Sequence, residues 1–198
     1  MKKLQLFIIA SLLTIGVHAQ DSCFFGITYN TAMPLGETAD FIDNHSWGGF
    51  GVEWKKMKTE NFAVGVNLSW QIFSQKLDLE TIQIPESQLT LSGAQLRYLN
   101  YFPMTITASY LFNPEGKIVP FVGGGAGLYR VLKRYDISGY AYNENTWNFG
   151  FYPEAGLLFP TGGSSDLFIN SKYHYILPSN GEQAHSFLNI NIGFSYFY

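Results

Sequence analysis

The chain has 198 residues, with 12 Lys and Arg against 15 Asp and Glu, so its formal net charge is −3 at pH 7. Aromatic residues make up 17% and charged residues only 14%, against about 25% charged residues in ordinary globular domains. So apolar a sequence excludes a disordered chain, and an acidic chain without a basic stripe excludes an electrostatic nucleic-acid binder. No stretch after residue 20 approaches the ~18 consecutive apolar residues of a membrane-spanning helix. The length suits one domain.

The first residues have the features of an export signal. Residues 1–3 carry two lysines, residues 4–17 form an uncharged apolar run, and Val17 and Ala19 stand at the positions that precede a cleavage site. We therefore predict a signal peptide at 1–19 and a single domain at 20–198. The alternative is an N-terminal membrane anchor, which the shortness of the apolar run disfavours. The exported chain has a single cysteine, Cys23, so it has no internal disulfide.

The rest of the chain alternates apolar and polar residues with a period of two. The clearest stretch is 62–73, where Phe, Val, Val, Leu, Trp and Ile occupy the even positions and mostly small or polar residues the odd ones. Such alternation predicts a strand with two different faces. The same pattern recurs in 25–30, 49–54, 104–112, 149–159, 167–175 and 188–198. Residues 119–132 predict an eighth strand, whose facing is left open because glycines dilute both faces.

The connections between these strands alternate in length. Short turns are expected at 55–61, 113–117 and 160–165, where Asn-Pro-Glu-Gly and Thr-Gly-Gly carry turn chemistry. Longer polar segments are expected at 34–46, 74–92, 133–146 and 178–185. Eight antiparallel strands with this alternation predict an all-β fold, a closed up-and-down barrel.

The composition of the two faces indicates which one lies inside. The polar face is mainly Gly, Ser, Thr, Asn and Ala, which make a poor solvated exterior but fit the crowded lumen of a narrow barrel. The apolar face, with its Trp, Tyr and Phe residues, suits a lipid-facing band with aromatic girdles. The alternative is a soluble lipocalin-like barrel, which would enclose a hydrophobic ligand with the apolar face.

Two further features produce a resemblance to a known family. The last strand ends in the alternation Phe194, Tyr196, Tyr198, and residues 120–128 form a glycine-rich strand. With the eight amphipathic strands, the chain resembles the small eight-stranded outer-membrane β-barrels of the OmpA, OmpX and OmpW type, although it ends in Tyr rather than the commoner Phe.

The resemblance implies a transmembrane barrel in the outer membrane of a Gram-negative bacterium, with both termini in the periplasm and four loops outside. It also implies outer-membrane lipid as a partner, and reading of the C-terminal aromatic signature by the barrel-assembly machinery during insertion.

Five ionisable residues fall on the polar phase of their strands: Glu53, Arg97, Glu154, Lys172 and His174. If that face lines the lumen, we expect a network in which buried carboxylates pair with cations. The sequence does not assign the partners, but Glu53–Arg97 and either Glu154–Lys172 or Glu154–Arg97 are the combinations to test. The network is either structural or a gate, in which a change of partners opens a narrow passage for a small ligand.

The sequence gives only weak support for a phosphate-binding, catalytic or metal site. Glycines 123–127 lack the Lys-Ser/Thr pair of a phosphate loop, so strand glycines are expected. Lipid-modifying barrels use a Ser–His pair with an acid, and the chain offers His174, His185, Ser186 and Glu182. Adjacent strand residues face opposite ways, so a catalytic unit is not expected. The histidines are far apart in sequence, and neither a metal site nor a cofactor is predicted.

We therefore expect a non-enzymatic outer-membrane barrel with a structural or surface-interaction role, in which the four long segments offer sites for an extracellular ligand. The alternatives are gated passage of a small ligand, a lipid-modifying enzyme and a soluble lipocalin-like binder.

Overall fold

The computed structural model describes residues 22–83, 90–137, 140–163, 165–179 and 183–198. The signal peptide predicted at 1–19 lies outside these ranges. Within them are one short helix, α1 (Glu37–Phe41), and eight strands. The strands are β1 (Cys23–Leu35), β2 (Gly48–Met57), β3 (Phe62–Gln83), β4 (Thr90–Leu111), β5 (Val119–Ile137), β6 (Tyr140–Pro160), β7 (Ser165–Ile176) and β8 (His185–Phe197).

Each strand pairs antiparallel with the next, and β8 pairs with β1, so the sheet closes on itself. The predicted closed up-and-down barrel of eight strands is confirmed. We call the end where β1 begins and β8 ends the turn end, because the short connections after β2, β4 and β6 lie there. We call the opposite end the loop end.

The facing of the strands agrees with the prediction from composition. Outward residues such as Ile106, which is 73% exposed, and Phe194, which is 70% exposed, are bulky and apolar. Inward residues on the same strands, such as Thr107 and Ser195, are buried and polar. The facing left open for 119–132 is also clear, since Phe121, Tyr129 and Val131 point inward while the even-numbered residues point outward.

Two of the predicted long loops are wrong in their bounds. Most of 74–92 and 133–146 is strand, because β3 and β4 pair up to Gln83 and from Thr90, and β5 and β6 pair through Ile137 and Tyr140. The backbone hydrogen bonds continue into these hairpins. The alternation of apolar and polar residues fades because a hairpin beyond the barrel wall has no face that must be apolar. Side-chain pairs still form on the β5–β6 hairpin, where the rings of Tyr135 and Tyr142 stack 4.9 Å apart.

The interior consists of three layers rather than a uniform lining of small residues. An apolar layer at the turn end contains Phe24, Val119, Phe121, Leu158 and Phe168. A layer of polar and charged side chains lies in the middle. An aromatic and aliphatic layer at the loop end contains Ala32, Ile42, Phe73, Leu99, Tyr101, Tyr129, Val131, Ile176 and Phe187. The expectation of a small, polar lumen is therefore correct only for the middle layer.

Candidate functional site

The middle layer contains a cluster of four charged side chains, which we call the charged cluster. Glu53 and Lys55 come from β2, Glu154 from β6 and Lys172 from β7. The period-two geometry of a strand points Glu53 and Lys55 to the same face. Because β2 lies across the barrel from β6 and β7 in the strand order, the cluster bridges the lumen.

Each carboxylate of the cluster contacts both ammonium groups. Lys55 Nζ lies 3.3 Å from Glu154 Oε1 and 3.5 Å from Glu53 Oε2. Lys172 Nζ lies 3.6 Å from Glu53 Oε2 and 3.8 Å from Glu154 Oε2. The side chains are at most 7% exposed. Two positive and two negative charges balance, which is the condition for keeping ions in a dry interior.

Neutral groups complete the surroundings of Glu154. Ser109 Oγ donates to its Oε1 at 2.7 Å, and Asn170 Nδ2 donates to its Oε2 at 3.4 Å. Asn191 in turn donates to Asn170 at 2.7 Å. These bonds hold one carboxylate orientation, so the cluster is part of a wider polar network that packs the middle of the lumen.

Aromatic rings lie beside both lysines of the cluster. Lys55 Nζ lies 5.6 Å from the ring centre of Phe121, and Lys172 Nζ lies 5.1 Å from that of Tyr152, distances at which a ring face attracts a cation. The cavity between the cluster and the turn-end layer has a volume of about 30 Å³, which is room for about one water molecule. In this conformation the lumen is filled with side chains.

Arg97 does not belong to the cluster, so the candidate pairs Glu53–Arg97 and Glu154–Arg97 do not form. It lies twelve residues from Ser109 along β4, about 40 Å at strand rise. Its Nη1 donates to the carbonyl of Phe41 at 2.9 Å and its Nε to Gln95 at 3.1 Å. The alternation predicted its face correctly but carried no information on its height in the barrel. Of the two candidate partners of Glu154, Lys172 is the one in contact with it.

His174 lies one layer above the cluster, among aromatic side chains. Its Nδ1 is 2.9 Å from the hydroxyl of Tyr129, and its ring stacks on Phe187 at 4.5 Å. It is two residues from Lys172 on the same face of β7, so it is next to the charged cluster but bonded to the loop-end layer.

The polar atoms of the candidate catalytic pair contact different partners. His185 Nδ1 lies 3.0 Å from the hydroxyl of Tyr101, whereas Ser186 Oγ donates to the carbonyl of Leu35 at 3.0 Å. Glu182, the third candidate, lies outside the described residues. Among the residues that the structure describes, no three His, Cys, Asp or Glu side chains form a group that could hold a metal ion.

The glycines of β5 allow close packing of large inward side chains. A Cβ added at Gly125 would lie 2.6 Å from the ring of Tyr152, closer than two carbon atoms approach. This glycine makes room for the aromatic ring opposite, as expected for a strand glycine and not for a phosphate loop.

The segment that follows β1 closes the loop end. After α1, Ile42 is fully buried in the loop-end layer. Thr38 Oγ1 accepts from the backbone of Ser186 at 3.0 Å, and the guanidinium of Arg97 lies 5.2 Å from the ring centre of Phe41. The predicted loop 34–46 is thus a folded plug, held to β4 and β8.

The outer surface carries an apolar band between two belts of aromatic side chains. On β4 and its continuation, Phe102 belongs to the loop-end belt and Phe112 to the turn-end belt, with Met104, Ile106 and Ala108 between them. Ten residues at about 3.3 Å each, tilted by about 40°, give a height of about 25 Å, which is that of the apolar band of transmembrane barrels.

The C-terminal aromatic residues are part of this surface. The outward side chains of Phe194, Tyr196 and Tyr198 are all at least half exposed, and the hydroxyl of Tyr198 accepts from the indole of Trp54 at 3.1 Å. A role for these three residues in assembly stays a prediction.

Comparisons with known proteins find similar folds but no similar sequence. No family model matches the chain, and no curated protein matches its sequence. Among solved structures, Neisserial surface protein A is similar at 11% identity and a TM-score of 0.56, over 90% of this chain and 97% of that one. A major outer-membrane protein from Thermus thermophilus is similar at 9% identity and a TM-score of 0.56, over 91% and 100% of the two chains.

OprG, an outer-membrane protein from Pseudomonas aeruginosa, is similar at 13% identity and a TM-score of 0.50, over 90% of this chain and 95% of that one. The fold is that of the small eight-stranded outer-membrane β-barrels. At these identities the likeness concerns the fold of the barrel. In the described ranges, no helix is long and apolar enough to cross a membrane.

Proposed function

We propose that the chain is an integral outer-membrane barrel that acts as a scaffold and surface-interaction protein and not as an enzyme. The observation that carries this proposal is the outer apolar band between two aromatic belts, combined with a charged and polar layer in the middle of the lumen. In water, such a surface would be a contiguous apolar patch far larger than soluble monomers expose. In a bilayer, the same surface is solvated by lipid.

The charged middle layer of the lumen argues against the lipocalin-like alternative. A soluble barrel of that kind needs an apolar cavity inside and polar groups outside. Here the middle of the lumen holds four charges, and the space beside them admits about one water molecule. Neither property suits a hydrophobic ligand.

The hydrogen bonds of the candidate nucleophile argue against the enzyme alternative. Ser186 Oγ donates to the backbone carbonyl of Leu35, and neighbouring residues of a strand point to opposite faces. A nucleophilic serine needs a base within hydrogen-bond reach and a position for the substrate beside it.

The strand lengths support surface interaction. β3 and β4 each have 22 residues, against 13 for β1 and β8, so the β3–β4 and β5–β6 hairpins extend well beyond the other strands at the loop end. Rigid hairpins on a fixed barrel suit recognition of an extracellular partner. The segments proposed to contact it are 34–46, 74–92, 133–146 and 178–185.

Gated passage is a second candidate, favoured by the sharing of each carboxylate of the cluster between two lysines. A carboxylate could exchange one lysine for the other within the cluster, but the turn-end and loop-end layers must also move. We expect planar-bilayer recordings of the wild type to show no sustained conductance. The Glu154→Gln variant should show none either, because its lumen should stay closed. Sustained opening in Glu154→Gln, with Glu115→Gln as the exposed control, would favour a gate.

Cell fractionation and gel mobility test the main proposal. We expect the protein in the outer-membrane fraction, with a folded band that shifts in mobility only after heating. Recovery as a soluble periplasmic protein would overturn the proposal.

A further inference from the structure

The outer face of β4, β5 and β6 changes character near the loop end. The outward row formed by Met104, Leu128 and Phe149 is apolar. The next outward row toward the loop end is Phe102, Arg130 and Trp147. Arg130 is therefore the first charge above the apolar band on these strands, at the height of the aromatic belt.

Amides and a phenol ring follow above Arg130. Asn100, Leu132 and Asn145 form the next row, and Tyr98, Arg134 and Asn143 the row after it. These two rows, with Arg130 and Trp147 below them, form what we call the outer arginine patch. A groove of about 450 Å³ runs along its upper part, where Lys133 and Glu144 also line it. This volume is within the range of small-ligand sites.

The two arginines of the patch differ in their contacts. Arg134 is bound by Asp136, with its Nε 2.9 Å from Oδ1 and its Nη2 2.9 Å from Oδ2. Arg130 donates from its Nε to Asn145 at 3.2 Å and lies 6.0 Å from the ring centre of Trp147. In the described part of the chain, no carboxylate lies within ion-pair distance of Arg130. Its charge is exposed, and among the described residues it has no counter-charge in contact.

The surrounding groups fit a saccharide that carries a phosphate. A guanidinium presents several donors in one plane, which matches phosphate oxygens. The amides of Asn100, Asn143 and Asn145 both donate and accept, as sugar hydroxyls do. Tyr98 adds a flat amphipathic ring. Strand spacing makes the patch about 10 Å wide and about 13 Å tall, large enough for one or two sugar rings.

We propose that the outer arginine patch binds the phosphorylated saccharide headgroup of a membrane glycolipid, with Arg130 as the phosphate contact. The inference rests on the proposed insertion in a membrane, since the apolar row below the patch would then receive the acyl chains. The lipid would lie along the barrel wall and fix the height of the barrel in the bilayer.

Binding of defined lipids tests this proposal. The full protein, purified from membranes in a non-ionic detergent, is titrated with a bisphosphorylated glucosamine-disaccharide lipid, and the Kd is measured by thermophoresis. We expect Arg130→Gln to weaken binding about tenfold or more, with Arg130→Lys in between. Lys117→Gln, the same charge change in a turn at the opposite end, should stay within about twofold. Excess phosphatidylcholine or inorganic phosphate should not compete.

The proposal is overturned if Arg130→Gln binds within twofold of the wild type, or if Lys117→Gln loses as much affinity. Displacement of the lipid by inorganic phosphate would also overturn it, because the site would then recognise a free anion. Heat-modifiable mobility of each variant shows that the barrel is folded. A folded, membrane-inserted protein that fails this test would leave the proposed function standing.

Discussion

At the scale of single residues, Glu154 has the most contacts in the charged cluster. It lies within 4 Å of both lysines and accepts hydrogen bonds from Ser109 and Asn170. Removing its charge leaves two buried ammonium groups with one carboxylate, Glu53. Breaking a buried ion pair from one side costs about 3–5 kcal/mol.

We therefore expect Glu154→Gln to lower the free energy of unfolding by about this amount, as measured by urea titration in detergent micelles. Glu115→Gln, an exposed turn residue, should change it by less than about 0.5 kcal/mol. Equal stability of the two variants would show that the cluster does not stabilise the barrel.

Gly125 provides a second test at this scale. Because an added Cβ would overlap the ring of Tyr152, Gly125→Val should cost about 1–3 kcal/mol through overpacking. At Gly163 an added Cβ meets nothing within 4 Å, so Gly163→Val is the matched control. Unfolding titrations of both variants test this, and a neutral Gly125→Val would contradict the described packing of the lumen.

For the residues of the charged cluster, the alternation in the sequence predicts which face each side chain occupies but not its depth or its partners. The face of each residue follows from the period of two, so Glu53, Glu154 and Lys172 were predicted to point inward. Their depth and partners depend on the register of strands that are distant in sequence. For that reason the sequence does not show that Arg97 lies far from the carboxylates of the cluster. Lys55 was missed because it was assigned to the turn 55–61, although its spacing of two from Glu53 places it on the same face.

At the scale of elements, the plug formed by α1 and the residues after it is the part that periodicity did not predict. Its position depends on contacts to distant strands, such as Thr38 with Ser186 and Phe41 with Arg97. The doubled apolar pairs Ile72-Phe73 and Tyr101-Phe102 did carry a signal. In each pair one side chain must face inward, which indicated aromatic layers in the lumen.

Ile42 tests the plug. Its side chain is fully buried in the loop-end layer, so Ile42→Ala should cost about 2–5 kcal/mol and loosen the segment 34–46. Limited proteolysis should cut this segment faster in Ile42→Ala than in Asp40→Ala, which changes an exposed residue of α1. Equal cleavage rates would show that burial of Ile42 does not hold the plug.

At the scale of the whole molecule, the low content of charged residues and the high content of aromatic residues have one physical cause. The barrel places its charges in a neutral internal cluster and at its two ends, and its outer wall is apolar. The fold class was predictable because alternation and turn chemistry are local. The layers of the lumen were not, because they form between strands far apart in sequence.

The surroundings of the outer wall are tested most directly by spin labels on the protein reconstituted in phospholipid vesicles. In a Cys23→Ser background, one label replaces Ile106 in the centre of the apolar band and another replaces Glu60 in a turn. We expect the label at 106 to be relaxed mainly by oxygen, which concentrates in hydrocarbon, and the label at 60 mainly by a water-soluble nickel chelate. Equal access of the nickel chelate to both positions would contradict a lipid-facing barrel wall.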